Sequence, residues 1–194
     1  MWWIALDEPT EKDEFLLEEG VPFFEEQKKN GIRFYSGEYI SRDIELCTIT
    51  IPEEESDVNF MPDNFLGMEI NTFVFNQRVR KMLEACQVDN IQYFPVRIIN
   101  KGTGEIFDDY KIANIIGIID CIDYDKSNIS WHSENSISFI KGMTIDPEKV
   151  KDAPLVFRIK GYPLVAAMHN SLKTALEEND ISGINFVKPE KFFV

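Results

Sequence analysis

Apolar residues recur along this chain with two periods, and the change from one to the other marks its elements. Phe75, Val79, Met82, Leu83 and Cys86 fall on one face of a 3.6-residue helix, with Arg78, Arg80, Lys81 and Glu84 off that face. The spacing predicts a helix over 76–87, started by Asn76, whose short side chain can accept from the free amides of the first turn. Val88-Asp89-Asn90 then reads as a tight turn, its Asn tolerating a left-handed backbone. From Ile91 to Ile99 β-branched and aromatic residues dominate, which predicts a strand, and Pro95, which cannot donate to a ladder, predicts an edge or a bulge there. Lys101-Gly102-Thr103-Gly104 supplies a turn, and Tyr110 to Asp123 returns almost continuously apolar, as a strand covered on both faces does. A central hairpin over about 91–123 is the expected heart of the fold.

The flanking segments are shorter and more polar. Trp2, Ile4 and Leu6 alternate with Trp3, Ala5 and Asp7, predicting a strand that docks the start of the chain onto the sheet. Thr10 to Glu19 reads as an acidic helix closed by Gly20, and Val21 to Tyr39, with Pro22, Gly31 and Gly37 among five aromatics, as irregular structure. Ile44 to Ile51 has the period of a strand, followed by the acidic loop 53–57 and the turn-rich connection 60–67. Beyond the hairpin, 125–138 reads as a loop containing Trp131 and His132. A short strand is expected near 137–140, a helical start at Asp146-Pro147, strands at 155–159 and 164–167, a helix capped by Asn170, and a last strand at 184–187.

An internal echo accompanies these elements. At an offset of 93, the run from Val79 to Glu84 lines up with Leu172 to Glu177, and Val88 to Tyr93 with Ile181 to Phe186. Two helix-turn-strand units, about 76–99 and 170–187, are therefore expected to pack alike, with Asn90 and Gly183 in the same place, where both residue types accept positive φ. The fold class is α+β with a mixed or antiparallel sheet.

Composition adds a division. The 194 residues carry a net charge of -14, and residues 1–60 hold 16 acids against 5 bases, a balance of -11. The expectation is an acidic, aromatic-rich N-terminal region over 1–60 and an α+β domain over 61–194. Such a field repels nucleic acid and draws a basic partner. No run approaches the ~20 apolar residues of a membrane span, and Met1 to Leu6 lacks the length and basic flank of a secretory signal, so a cytoplasmic location is expected. Cys47, Cys86 and Cys121, odd in number and without C-x-x-C spacing, point to buried thiols in a reducing compartment.

Residue types that carry chemistry are sparse. His132 and His169 have no spaced metal-ligand partners. Asp120, Asp123 and Asp125 cluster at a strand end without the Gly and distal Glu of a calcium loop, and Gly102-Thr103-Gly104 is not followed by the Lys-Ser/Thr of a phosphate loop. No cofactor or metal is expected. A carboxylate site assembled only in space, or a homo-oligomeric scaffold, stays open as an alternative on residues alone.

The order of landmarks carries more. Pro62 to Leu66, Phe75-Asn76-Gln77-Arg78-Val79, Tyr93-Phe94-Pro95-Val96, Tyr110 with Ala113-Asn114, Asp123, Phe157-Arg158 and Gly183 to Phe186 together resemble a family of bacterial immunity proteins encoded beside polymorphic or secreted toxins. The resemblance spans about 60–194, with Asn76 standing where members often carry Ser. It implies a non-catalytic protein that neutralises a cognate toxin by stoichiometric binding, with no catalytic residues to carry over. A basic contact surface on that toxin follows from the charge balance. The acids expected to meet it are Glu53, Glu54, Glu55 and Asp57 in the loop, with Asp108 and Asp109 at the hairpin end. Self-association remains compatible with this reading.

Overall fold

The computed structural model describes residues 1–7, 20–51, 53, 61–65, 72–134 and 136–194. In chain order its strands and helices are β1 (Trp2–Asp7), α1 (Gly20–Lys29), β2 (Cys47–Ile51), β3 (Asn64–Phe65), β4 (Phe73–Phe75), α2 (Gln77–Ala85), β5 (Ile91–Asn100), β6 (Ile106–Phe107), β7 (Lys111–Ile115) and β8 (Ile118–Ile119). These are followed by β9 (Ile129–Ser133), β10 (Ser136–Ile140), β11 (Val156–Ile159), β12 (Tyr162–His169), α3 (Asn170–Glu178) and β13 (Ile184–Val187). One sheet runs β2-β5-β7-β4-β3 with β6 on the end of β5, a second runs β13-β1-β12-β11-β8, and β9 and β10 form a separate pair. This is the α+β architecture with mixed pairing that the periodicities predict.

The amphipathic face of α2 buries Val79 and Leu83, and Asn76 caps it by accepting from the Val79 amide at 3.1 Å. Helices α2 and α3, the latter through Leu172 and Leu176, pack into a shared core with Phe73, Phe75, Ala113, Ile115, Ala166 and Met168. Phe73 and Phe75 are fully enclosed with ring centroids 5.4 Å apart; burial of each ring stabilises the fold by roughly 1.5–3 kcal/mol.

The echo at an offset of 93 extends to the strand order of the two units. Shifting Gln77–Ala85 by 93 gives Asn170–Glu178, the bounds of α3, and shifting Ile91 gives Ile184, the first residue of β13. In the first unit β7 lies between β4 and β5, antiparallel to both; in the second, β1 lies between β12 and β13 in the same way. Registers agree as well: Ala113 faces Phe73 and Tyr93, and Ala5 faces Ala166 and Phe186. The second unit is thus completed by the opposite end of the chain. Asp63, only 5% exposed, ties the units together, accepting from the Ser182 amide (3.0 Å), the Ser182 hydroxyl (3.1 Å), Asn76 (2.7 Å) and Arg78 (3.0 Å).

Several expectations are corrected. The apolar run 110–123 is not one strand: β7 ends at Ile115, and the chain turns at Gly117 (φ +106) into β8, which belongs to the second sheet and runs parallel to β11. Gly117 is a node, donating its amide to the Gly37 carbonyl and accepting from the Arg158 amide, both at 2.8 Å. Pro95 lies at the junction where β5 passes from pairing with β7 (Ile91 to Pro95) to pairing with β2 (Val96 to Asn100). The residue without an N–H thus sits where the strand changes partner.

The segment read as irregular opens with helix α1, in which Pro22 occupies the first turn, where amides have no helical partner. Aromatics of that segment, Phe24 and Phe34, pack against Phe94, Val96, Ile98 and Ile112 of the first sheet. No helix starts at Asp146; its carboxylate instead accepts from the Glu148 amide at 3.0 Å and holds a turn. The helix expected over Thr10 to Glu19 lies outside the described residues.

Candidate functional site

Glu53 is exposed just beyond the end of β2. Glu54, Glu55 and Asp57 lie outside the described residues. Because β2 runs parallel to β5, the Lys101 amide donates to the Ile51 carbonyl at 3.0 Å, and the chain leaves β2 beside the tip of the central hairpin. Asp108 is exposed and accepts from Nε of Arg97 at 2.7 Å, across the β5–β6 pairing. Asp109 is exposed too, and its backbone carbonyl accepts from Arg80 at 2.7 Å. The structure therefore places Glu53 by the hairpin tip and Asp108 in an ion pair of small net field.

The cluster of Asp120, Asp123 and Asp125 is engaged by lysines. Asp120 lies 3.6 Å from Lys149 and 3.7 Å from Lys160, and accepts from the Tyr124 hydroxyl at 2.9 Å. Asp123 accepts from Lys126 at 2.7 Å, and that hydrogen bond holds its carboxyl below the usual range. Among the described residues no group of three His, Cys, Asp or Glu side chains is placed to hold a metal ion.

Around this cluster is a feature that periodicity did not single out. Tyr124, 36% exposed, and Trp131, 44% exposed, place their rings 5.5 Å apart, and the Lys149 ammonium lies 5.2 Å over the Tyr124 ring. A strand, β9, presents Trp131 where a loop was expected. Gly161 makes room beneath: a Cβ there would come within 3.3 Å of the Trp131 ring. The available signal was an aromatic pair inside an otherwise polar, acidic stretch.

Burial pushes the Cys47 and Cys121 thiols up to about 12. His132 is exposed on β9. His169, rather than Asn170, caps α3: its Nδ1 accepts from the Ser171 amide at 3.3 Å, while Asn170 accepts from the Trp3 indole at 2.9 Å. Arg158 is fully enclosed, its guanidinium 5.4 Å over the Phe73 ring and one Nη donating to the Leu164 carbonyl at 3.3 Å. An open cavity of about 590 Å³ lies between Trp2, Ile145, Val150, Leu155, His169 and Pro189, and Glu190 is the one carboxylate in its lining. Its lining also includes Thr144 and Lys151, and it does not gather the paired carboxylates that acid/base chemistry uses. Among the described residues no helix is long and apolar enough to cross a membrane.

A family described as Immunity protein family (Imm11) matches residues 19–191. No curated protein matches the chain.

Proposed function

The chain belongs to the Imm11 family of immunity proteins, and from that premise we propose that it neutralises its toxin by offering an acidic contact surface to a basic face of that toxin. Membership carries the coarser facts: the protein is a toxin-neutralising immunity protein and its partner is a toxin. One observation supports the finer reading, the balance of -11 carried by residues 1–60 out of a total of -14. Like charge gathered on one region raises the encounter rate with an opposite surface and fixes orientation more than it adds to final affinity.

In this reading the loop of Glu53, Glu54, Glu55 and Asp57 leads the encounter. Asp108 and Asp109 stand near the base of the hairpin, where the Arg97 partner of Asp108 weakens its pull on distant charge. The toxin is a product of a polymorphic system and is met in the cytoplasm of the producing cell. The test is association kinetics with the toxin encoded by the adjacent gene. Replacing Glu53, Glu54 and Glu55 together by Ala slows the on-rate several-fold at low salt and flattens its salt dependence. An unchanged on-rate removes this loop from the contact, and a wild-type chain that neither binds that toxin nor protects cells expressing it overturns the reading as a whole.

A further inference from the structure

We propose that the exposed ring pair Tyr124–Trp131 is the anchor of the toxin interface and receives a basic side chain of the toxin on the free face of Trp131. The inference rests on the reading above and adds a place and a contact to it.

The other tryptophans are already used inside the molecule. Trp2 packs edge-on against Phe157 (4.9 Å) and His169 (5.2 Å). Trp3 donates its indole N–H to Asn170 and carries the ammonium groups of Lys173 at 4.6 Å and Lys188 at 5.9 Å. Among the described residues Trp131 has the tilted Tyr124 ring beside it, Ile137 opposite it on β10 and Gly161 beneath it, and almost half of its surface faces solvent. An exposed Trp held in a fixed orientation is the residue type most enriched at binding hot spots, because it supplies a large contact area with little conformational entropy to lose.

Its surroundings select the occupant. Tyr124 is fixed by its hydroxyl on Asp120 and already holds a cation, Lys149, on its face. The ring pair is therefore built in a field where ammonium groups settle. The stretch from Ile118 to Glu134 contains Asp120, Asp123, Asp125 and Glu134 against the single base Lys126, and Lys149 and Lys160 reach in from later segments to offset Asp120. Lys126 neutralises Asp123, and Asp125 and Glu134 stand exposed beside Tyr124 and near the end of β9. A Lys or Arg arriving from outside finds on Trp131 what Lys173 finds on Trp3, with acids at the rim to orient it. Ser138 on β10 donates its hydroxyl to the Ser130 carbonyl at 3.1 Å, bracing the strand that carries Trp131.

The experiment uses the full chain and a catalytically inactive form of the toxin encoded by the adjacent gene. Trp131→Ala raises Kd by about thirty-fold or more, chiefly through faster dissociation. Trp131→Arg, which places a like charge against the incoming base, weakens binding further, and Trp131→Phe stays within about tenfold of wild type. Hydroxyl-radical footprinting of the unmutated protein gives a readout that does not depend on a variant folding: oxidation of Trp131 falls when the toxin is added. Wild-type binding with Trp131 equally oxidised in the complex, or with all three folded variants within threefold of wild type, overturns the proposal and leaves the proposed function standing. Protection of Trp131 in the protein alone, with sedimentation as a dimer, assigns the patch to a second copy and also overturns it. Absence of any wild-type binding instead fails the proposed function.

Discussion

Asn64 donates its side-chain amide to the carbonyl of Gly183 at 2.7 Å, and that bond has a counterpart across the pseudo-symmetric pair of units. In the counterpart Asn90, 93 residues before Gly183, donates to the carbonyl of Val156 at 2.8 Å and to that of Ile116 at 2.7 Å. Each helix-to-strand turn is thereby clasped to the first strand of the opposite unit, β3 or β11. Gly183 and Asn90 do this differently: Gly183 has φ +79, whereas the left-handed residues before each turn are Gln87 at φ +60 and Asp180 at +49, again 93 apart. Asn90 serves by its side chain and not by a positive φ, which corrects the expectation from sequence.

Gly183→Ala follows directly from this clasp. A Cβ at Gly183 would lie 2.3 Å from the Asn64 carbonyl oxygen. The left-handed penalty of roughly 1–2 kcal/mol adds to overpacking of roughly 1–3 kcal/mol, so a loss of about 2–5 kcal/mol is expected in urea unfolding. Asn90→Ala strips two carbonyls of a donor and costs about 1–3 kcal/mol in the same measurement. A Gly183→Ala protein as stable as wild type would show that the clasp is not held in solution.

How much of this was legible in the sequence depends on which force fixes each element. Val79 and Leu83 sit on the apolar stripe of α2, so helix, cap and the echo with Leu172 and Leu176 were readable. The break at Gly117 was not, because Ile115, Ile116, Ile118 and Ile119 are apolar on both sides of it, and hydropathy does not report a change of sheet. Nor was α1, where Pro22 and the adjacent Phe23 and Phe24 give no helical period and tertiary packing on Phe34 and Phe94 decides. The place of β1 between β12 and β13 is a contact between chain ends, invisible to any local window. Trp131 was read in a polar loop, and neither its strand nor its exposure follows from local spacing.

Arg158 carries a charge in the interior at some energetic cost. Burial pulls its guanidinium down to about 9, and among the described residues no carboxylate pairs with it; Nε and one Nη have no partner. Charged at neutral pH, it carries a desolvation penalty that Arg158→Met removes at the cost of the bond to Leu164 and the cation–π contact with Phe73. The variant is expected to be about 1–4 kcal/mol more stable at pH 7. The sign with pH is fixed: with a lowered folded value the native state binds fewer protons than the unfolded chain above about 9, so wild-type stability gains on the variant as pH rises from there toward 12.5. Chemical denaturation of both proteins at pH 7 and 10 checks the gap and its narrowing.

The thiols should separate by burial. Cys47 and Cys121 are enclosed with thiols raised to about 12, while Cys86 is half-buried at the end of α2. Ellman's reagent at pH 8 is expected to label Cys86 alone in the native protein, and the other two only after denaturation. Fast native labelling of Cys121 would contradict the packing of β8 and the strand-end segment that follows it.

His169 makes the start of α3 sensitive to acid. Its Nδ1 must be unprotonated to accept from the Ser171 amide, and burial together with the terminal amine lowers its folded value below the ordinary 6.5. The native state thus favours the neutral ring. The stabilisation it gives is fully present above the unfolded value and is lost as pH falls through the folded one, so stability should decline on acidification below about 6.5. Asn in this place accepts from the same amide without titrating. His169→Asn is therefore expected to match wild type at pH 7.5 and to lose less stability between pH 6.5 and 5, read as the difference in denaturation midpoints. Parallel declines for both proteins would mean that the cap does not titrate in that window.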